Sequence, residues 1–396
     1  MKILVVNTLY HPTLFGGAER VVQSLAEGML EAGHQPTVVT LGTEPGVRSD
    51  VVGGVPVHYV GLRNLYWPFP ADQRVGFVKP VWHAIDTRNP AMGRALARLI
   101  DVERPDVVHT HNLMGFSTGA WAVAARRRVP IVHTLHDYYL LCPKSSMFAD
   151  GENCASQHLS CAIFSRPRVR ASAHVGAVLG VSRFVLDRHL AFGAFPHAVL
   201  RDVAYNPYDA PSPPPMPAPR PVLRVGYLGR LDPSKGIEHL LDACAALPAG
   251  GWELHVAGAG PADYELALRA RARGRPVQFV GHVHTESFLP SIDVLVVPSL
   301  WNEPLGMVAV EAFAAGVPVI ASLRGGIPEL VTERTGWLFD PAEPAELTAI
   351  LSRLIDDPQR ARERREACLT RARDFARPRV VAQYERAYAA VTERRL

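Results

Sequence analysis

Short aliphatic and β-branched runs alternate with stretches of helical periodicity along most of the chain. In the first half "KILVVN" (2–7), "QPTVVTL" (35–41), "VPVHYVG" (55–61), "PDVVHTH" (105–111), "PIVHTLH" (130–136) and "GAVLGVS" (176–182) read as strands. Helices lie between them, such as "AERVVQSLAEGMLEAG" (18–33), whose last glycine suits a C-cap. Strands separated by helices of this length predict parallel sheets with crossover helices. At 211–221 the pattern stops in "PSPPPMPAPRP", which can join neither a sheet interior nor a helix. It then restarts with "LRVGYLGR" (223–230), "WELHVAGAG" (252–260), "PVQFVGHV" (276–283), "DVLVVPS" (293–299), "PVIAS" (318–322) and "GWLFD" (336–340). The expected architecture is α/β, with two Rossmann-like doubly wound domains facing a central cleft. Residues 1–210 form the first, 211–221 the linker and 222–377 the second. A break at Pro378 lets the helical end, 378–396, return to the first domain.

The length of 396 residues agrees with two domains. Hydrophobic residues at 48% and charged residues at 20% describe a folded chain rather than a disordered one. No apolar run reaches the roughly 18–20 residues that span a bilayer. "KILVV" follows Met1 at once, without the pattern of a secretory signal. A cytoplasmic protein is expected, with peripheral contact at the inner membrane face left open. The net charge of +4, mostly arginine against acid, points weakly to an anionic ligand or membrane surface and hardly to nucleic acid. Cys142, Cys154, Cys161, Cys244 and Cys368 are odd in number and suggest no disulfide framework.

Two segments of the second half carry candidate chemistry. "GYLGRLDPSKG" (226–236) follows a strand, where open α/β sheets bind ligands. Gly229 would let the chain turn, and Arg230 and Lys235 would suit a diphosphate; ordinary exposed cations would look the same. "LWNEPLGMVAVEAFAAG" (300–316) reads as a loop carrying Glu303, then a helix carrying Glu311 about two turns in. The free N–H groups of the helix's first turn suit an anion. One carboxylate can serve a reacting sugar and the other the hydroxyl pair of a ribose; Glu311 could equally cap or pair with an arginine.

"GRLDPSKG", "NEPLGMVAVEAFAAGVPVIAS" and "GGIPELV" together resemble the family 4 glycosyltransferases of the GT-B fold, retaining enzymes that use nucleotide sugars. "FGGAER" (15–20), "VHTHN" (108–112), "TLHDYYLLCP" (134–143) and "GVSRF" (180–184) extend the likeness through the first half. The resemblance implies that Arg230 and Lys235 bind the donor diphosphate, Glu311 the ribose and Glu303 the transferred sugar. Leu305, Gly306 and Met307 lie where backbone amides meet phosphate and sugar. Gly16 and Gly17 match a glycine loop near donor and acceptor, and His136 a histidine near the reacting carbon. The interdomain pattern Asn-Gly-Val/Ile-Asp is replaced by "YNPYD" (205–209), which leaves contacts near Asn206 unassigned.

Cleaving a sugar–phosphate bond leaves negative charge on the diphosphate and positive charge at the anomeric carbon, so cations must face one and oxygens the other. No Asp-x-Asp pair occurs, so the metal ligand motif is missing; no divalent metal and no cofactor is expected beyond the nucleotide-diphosphate sugar as co-substrate. UDP- or GDP-sugars are the favoured donors, and the acceptor a hydroxyl on a saccharide, a lipid-linked sugar or a natural product. Tyr66 and Trp67, in an aromatic segment with Phe69, Phe77 and Trp82, form the candidate acceptor wall, with core packing as the alternative. His111 and Asp137 join them on the acceptor side. The rivals are a nucleotide-sugar epimerase, a non-catalytic sugar-nucleotide module, a zinc hydrolase opening on "HTH" and an NAD enzyme suggested by "VAGAGP" (256–261), whose third glycine is absent. Cys142, Cys154 and Cys161 with His158 are a further candidate metal set.

Overall fold

The computed structural model describes residues 1–13, 17–69, 78–215 and 220–393. The chain divides into two compact units. One comprises Met1–Met147, Cys154–Pro207 and Arg377–Leu396, and the other Phe148–Asn153 and Tyr208–Ala376.

The first unit is built on β1 (Lys2–Val6), β2 (Gln35–Gly42), β3 (Val47–Val52), β4 (Val55–Gly61), β5 (Val107–Thr110) and β6 (Ile131–Leu135). After a short hairpin, β7 (Phe148–Ala149) and β8 (Glu152–Asn153), which belongs to the other unit, come β9 (Ala177–Gly180) and β10 (Leu200–Val203). The order across the sheet is β10-β9-β6-β5-β1-β2-β4-β3. All neighbours are parallel except β3 and β4. The edge strand β3, "VRSDVV", was not expected from the sequence: its centre is polar and exposed, as suits an open edge. Strand order reverses between β1 and β5, which places the loops after β1, β5 and β6 around a topological switch point.

The helix Gly17–Glu31 buries Val21, Val22, Leu25, Ala26 and Met29, a stripe of helical spacing. The final helix, Arg377–Thr392, packs Val380, Val381, Tyr384 and Tyr388 into the same core. Arg377 holds it there with ion pairs to Glu27 at 3.3 Å and Glu31 at 3.1 Å.

The second unit contains β11 (Leu223–Leu228), β12 (Trp252–Ala257), β13 (Val277–Gly281), β14 (Val294–Val297), β15 (Val319–Ser322) and β16 (Gly336–Phe339). They form a parallel sheet in the order β13-β12-β11-β14-β15-β16. The switch lies between β11 and β14, paired at Val225 with Val294 and Gly226 with Leu295. The two segments singled out for chemistry are the loops that leave these two strands.

Candidate active site

In the second unit the β11 and β14 loops are stitched together by their backbones. Ser234 O accepts from Leu300 N at 2.9 Å and from Trp301 N at 3.1 Å. Asp232 shapes the first loop by accepting from Ser234 N at 2.9 Å, and the Tyr227 hydroxyl donates to Arg230 O at 2.8 Å. Burial, then the Glu303 carboxylate, pushes the Tyr227 phenol well above its usual range, so it acts as a neutral donor. The glycine that the turn requires is Gly236 rather than Gly229. Gly236 has φ 70° and its absent Cβ would overlap the Pro298 carbonyl, whereas a Cβ at Gly229 meets nothing closer than 3.5 Å.

These loops bring Lys235 and Glu303 together: Nζ donates to Oε1 at 2.9 Å, with the ammonium 5.2 Å from the centre of the Trp301 ring. Glu303 is 9% exposed, so its carboxylate needs a partner, and Lys235 supplies one. Arg230 is exposed and has no side-chain ion pair among the described residues. Gly306, left-handed at φ 97°, starts the helix Met307–Ala314 without a side-chain cap, which leaves its first amides available to an outside acceptor. Leu305 is buried and Met307 partly so. Glu311 is the fifth helical residue, about one turn in rather than two. It faces Tyr208, whose phenol is pushed up to about 12 by burial, then by Glu311 and Glu286.

In the first unit the histidines line the ends of β5 and β6. His109 is fully buried, with Nδ1 on the Tyr388 hydroxyl and Nε2 on the Thr134 hydroxyl, both at 2.8 Å. His133 Nδ1 meets the Thr110 hydroxyl at 2.9 Å, and its ring stacks on Phe195. Both secure helices and strands rather than ligands. His111 is 1% exposed, and its Nδ1 lies 2.9 Å from His136 Nε2. One ring must donate in that pair. Each then retains one buried nitrogen, His111 Nε2 and His136 Nδ1, without a partner among the described residues.

Burial lowers His136 to about 4 and His109 to about 3, so both are neutral imidazoles at neutral pH. Asp137 accepts from Tyr139 N at 2.8 Å and is raised to about 6 by burial, offset by that bond and by Arg168.

Of the aromatic segment, Trp82 is 1% exposed and donates to Tyr66 O at 3.0 Å, so it is core rather than wall. Tyr66 leans on Trp82 with ring centres 6.0 Å apart. Trp67, partly exposed, lines a cavity of about 180 Å³ with Pro12, Thr13, Glu44, Arg48 and Tyr59. Phe77 and Gly16 lie outside the described residues. Gly17 starts its helix in open space, where a Cβ would meet nothing within 4 Å.

Two arrangements were missed in the sequence. Asn153, from the β7–β8 hairpin, donates to Leu300 O and accepts from Asn302 N, both at 2.7 Å, and so clamps the backbone just before Glu303. "ADGEN" carried the signal: Asp150 and Gly151, at φ 52° and 83°, make the Asp-Gly turn of a two-residue hairpin. The second is a buried ion pair, Asp86 Oδ2 to Arg168 Nη2 at 3.2 Å, both fully buried. The Tyr139 hydroxyl donates to the same carboxylate at 2.7 Å. Burial raises Asp86 to about 7, against the pull of Arg168, Tyr139 and the Gly115 amide. Its members are 53 and 82 residues apart, and nothing local announces them.

The metal readings find no assembly: among the described residues no three His, Cys, Asp or Glu side chains gather to hold an ion, and all five cysteines are free thiols. The glycines of "VAGAGP" have a packing reason, since a Cβ at Gly258 would overlap the Gly229 carbonyl.

Residues 15–210 match the Glycosyltransferase Family 4 model and residues 218–375 the model for Glycosyl transferases group 1. A 42.6 kDa protein of the cps region of Klebsiella pneumoniae is 31% identical over 331 residues, 83% of this chain and 87% of that one. The glycogen synthase of Mycobacterium tuberculosis is 32% identical, over 94% of this chain and 90% of its own length. The chain belongs to glycosyltransferase family 4. The sucrose-phosphate synthase structure from Thermosynechococcus elongatus superposes with a TM-score of 0.76 at 22% identity, covering 99% of both chains, which establishes the GT-B fold. A glycosyltransferase of GT-B type that uses a nucleotide-sugar donor follows from the family.

Proposed function

We propose that the enzyme moves a sugar, with retention of anomeric configuration and without a divalent metal, from a UDP- or GDP-sugar to a hydroxyl of a saccharide, lipid-linked or small-molecule acceptor. The observation that carries the reading is the Lys235–Glu303 pair at the switch point of the second sheet, with Arg230 exposed on the same loop. Arg230 and Lys235 receive the diphosphate, and the helix Met307–Ala314 adds amides from its first turn. Taking Lys235 for phosphate releases the Glu303 carboxylate for the sugar, where it faces the positive charge that develops at the anomeric carbon. Glu311 serves the ribose hydroxyls. His136, neutral because it is buried, serves as a hydrogen-bonding group rather than a cation, and Asp137 stands beside it.

The acceptor is received by the first unit. Trp67 offers an apolar face beside a cavity with hydroxyl and charged groups, the mixture that suits a sugar. Among the described residues no helix is long and apolar enough to cross a membrane; a cytoplasmic enzyme of polysaccharide or glycoconjugate synthesis fits the reading.

The deciding experiment incubates the protein with UDP-, GDP- and dTDP-sugars and follows nucleotide release with and without acceptor, and then the anomeric coupling of the product. Acceptor-dependent release with retained configuration is expected. An isomerised donor, or tight donor binding with no release under any acceptor, would sink the proposal.

A further inference from the structure

The helix Leu159–Ala171 has an outer stripe that its own fold does not use. Leu159 and Ile163 are 78% and 66% exposed, and Arg166 and Arg170 follow along the same face at helical spacing. Its inner side, Ala162, Ser165 and Arg168, is buried. The helix Val78–Thr87 packs beside it, with Trp82 and Asp86 inward and Val81 and Ala84 outward. The buried Asp86–Arg168 pair and the His83–Phe164 ring contact, centres 5.9 Å apart, join the two helices. Asn64 and Tyr66 tie the preceding loop to Trp82, and that loop exposes Arg63 and Leu65.

Charge is concentrated here. Residues 62–69, 78–88 and 159–171 contain six arginines and lysines and one acid, a net of +5, while the whole chain sums to +4 and its remainder therefore to −1. The single acid, Asp86, is buried against Arg168, so no carboxylate of these segments is exposed. Exposed cations alone would suit any polyanion. Large aliphatic side chains standing in water within the cationic stripe are a cost against nucleic acid or a soluble acidic sugar, and a gain against the acyl boundary of a bilayer.

We infer that the outer face of the helices Val78–Thr87 and Leu159–Ala171 docks on an anionic lipid surface, with Leu159 and Ile163 entering the interface and the arginines meeting headgroup phosphates. The inference stands apart from the proposed donor and acceptor, because binding to vesicles needs neither.

The test is co-sedimentation of the full chain with phosphatidylcholine vesicles, with and without phosphatidylglycerol. Partitioning onto the anionic vesicles alone is expected. Arg166→Gln with Arg170→Gln should weaken it by about fivefold per arginine, and Leu159→Asp with Ile163→Asp should abolish it. Thermal melting and nucleotide affinity should hold in both pairs, since none of the four side chains is buried. The Gln pair keeps the test decisive should the Asp pair fold poorly. Absence of binding to anionic vesicles, equal binding to neutral ones, or binding that neither pair reduces would overturn the inference. So would equal capture on a soluble polyanion that ignores the aliphatic substitutions.

Discussion

The two units hold their candidate residues in opposite electrostatic states. In the second, a half-buried Lys235 and a buried Glu303 are paired with each other, ammonium to carboxylate, in loops stitched by backbone bonds. In the first, the histidines in and just after β5 and β6 are buried, neutral and bonded to hydroxyls or to one another. The difference agrees with the proposed division of donor and acceptor between the units. A diphosphate brings full charge and needs mobile countercharge waiting for it. A sugar hydroxyl brings only dipoles, and a fixed neutral ring can meet it without a large desolvation cost.

The largest effects should fall on the charged side. Glu303→Gln is expected to lower turnover about 10²- to 10³-fold, yet to raise affinity for the free nucleoside diphosphate, because Lys235 loses its internal competitor. Lys235→Ala should do the reverse for the nucleotide, weakening it about tenfold or more. Calorimetric titration of both variants separates the two outcomes; parallel losses in nucleotide affinity would show that the pair is not exchanged for phosphate.

On the neutral side the contrast is sharpened by acid. Burial holds His83, His109, His111, His133, His136 and His189 below their ordinary value, while Asp86 and Asp137 are raised to about 7 and about 6. As pH falls through 6.5 toward 4, the unfolded histidines take up protons that the folded ones refuse, so stability drops with pH, by about 1.4 kcal/mol per pH unit for each net proton. The two carboxyls act with the opposite sign: their contribution is present below their ordinary value of 3.8 and is lost as pH rises from there to about 6 and about 7. Six groups against two leave a net loss in acid. Native-state hydrogen exchange at pH 5.5 and 7.5 should show β5, β6 and β9 opening more readily at the lower pH than β11 and β14. Equal change in both sheets would remove the distinction.

A smaller effect belongs to His111. His111→Leu leaves His136 Nε2 without its partner and should reduce turnover roughly tenfold at unchanged nucleotide affinity. His111→Asn, whose amide can occupy the place of Nδ1, should recover most of it. If both variants lose activity alike while melting normally, His136 is not oriented through His111.

The parallel sheets were legible because buried strands and crossover helices each leave a continuous signature. Arg230 with Lys235, and Glu303 with Glu311, stand out in the sequence as two short segments that each follow a strand, one of them running on into a helix. What escaped was set by distance or by weak local pattern. Strand β3 is polar at its centre and buries none of its residues. The burial of Trp82 and His111 is a property of the packed fold, so residue type alone left each open between wall and core. The Asp86–Arg168 pair joins residues that no local window contains.

The smallest effect argued from the comparison tests whether charge on the second unit must also be held in place. Asn153 bonds both sides of Trp301, Asn302 Oδ1 accepts from Gly325 N at 3.1 Å, and Glu303 O accepts from Gly326 N at 2.8 Å, so the backbone around Glu303 is restrained from two directions. Removing one restraint should loosen the carboxylate without unfolding the loop. Asn153→Ala is therefore expected to lower kcat about three- to tenfold, the worth of one or two ordinary hydrogen bonds, with KM for the donor nearly constant. Asn153→Asp keeps the acceptor for Asn302 N and loses the donor to Leu300 O, and should fall between. A rise in donor KM at constant kcat would instead mean that the hairpin shapes the phosphate loop rather than the acid.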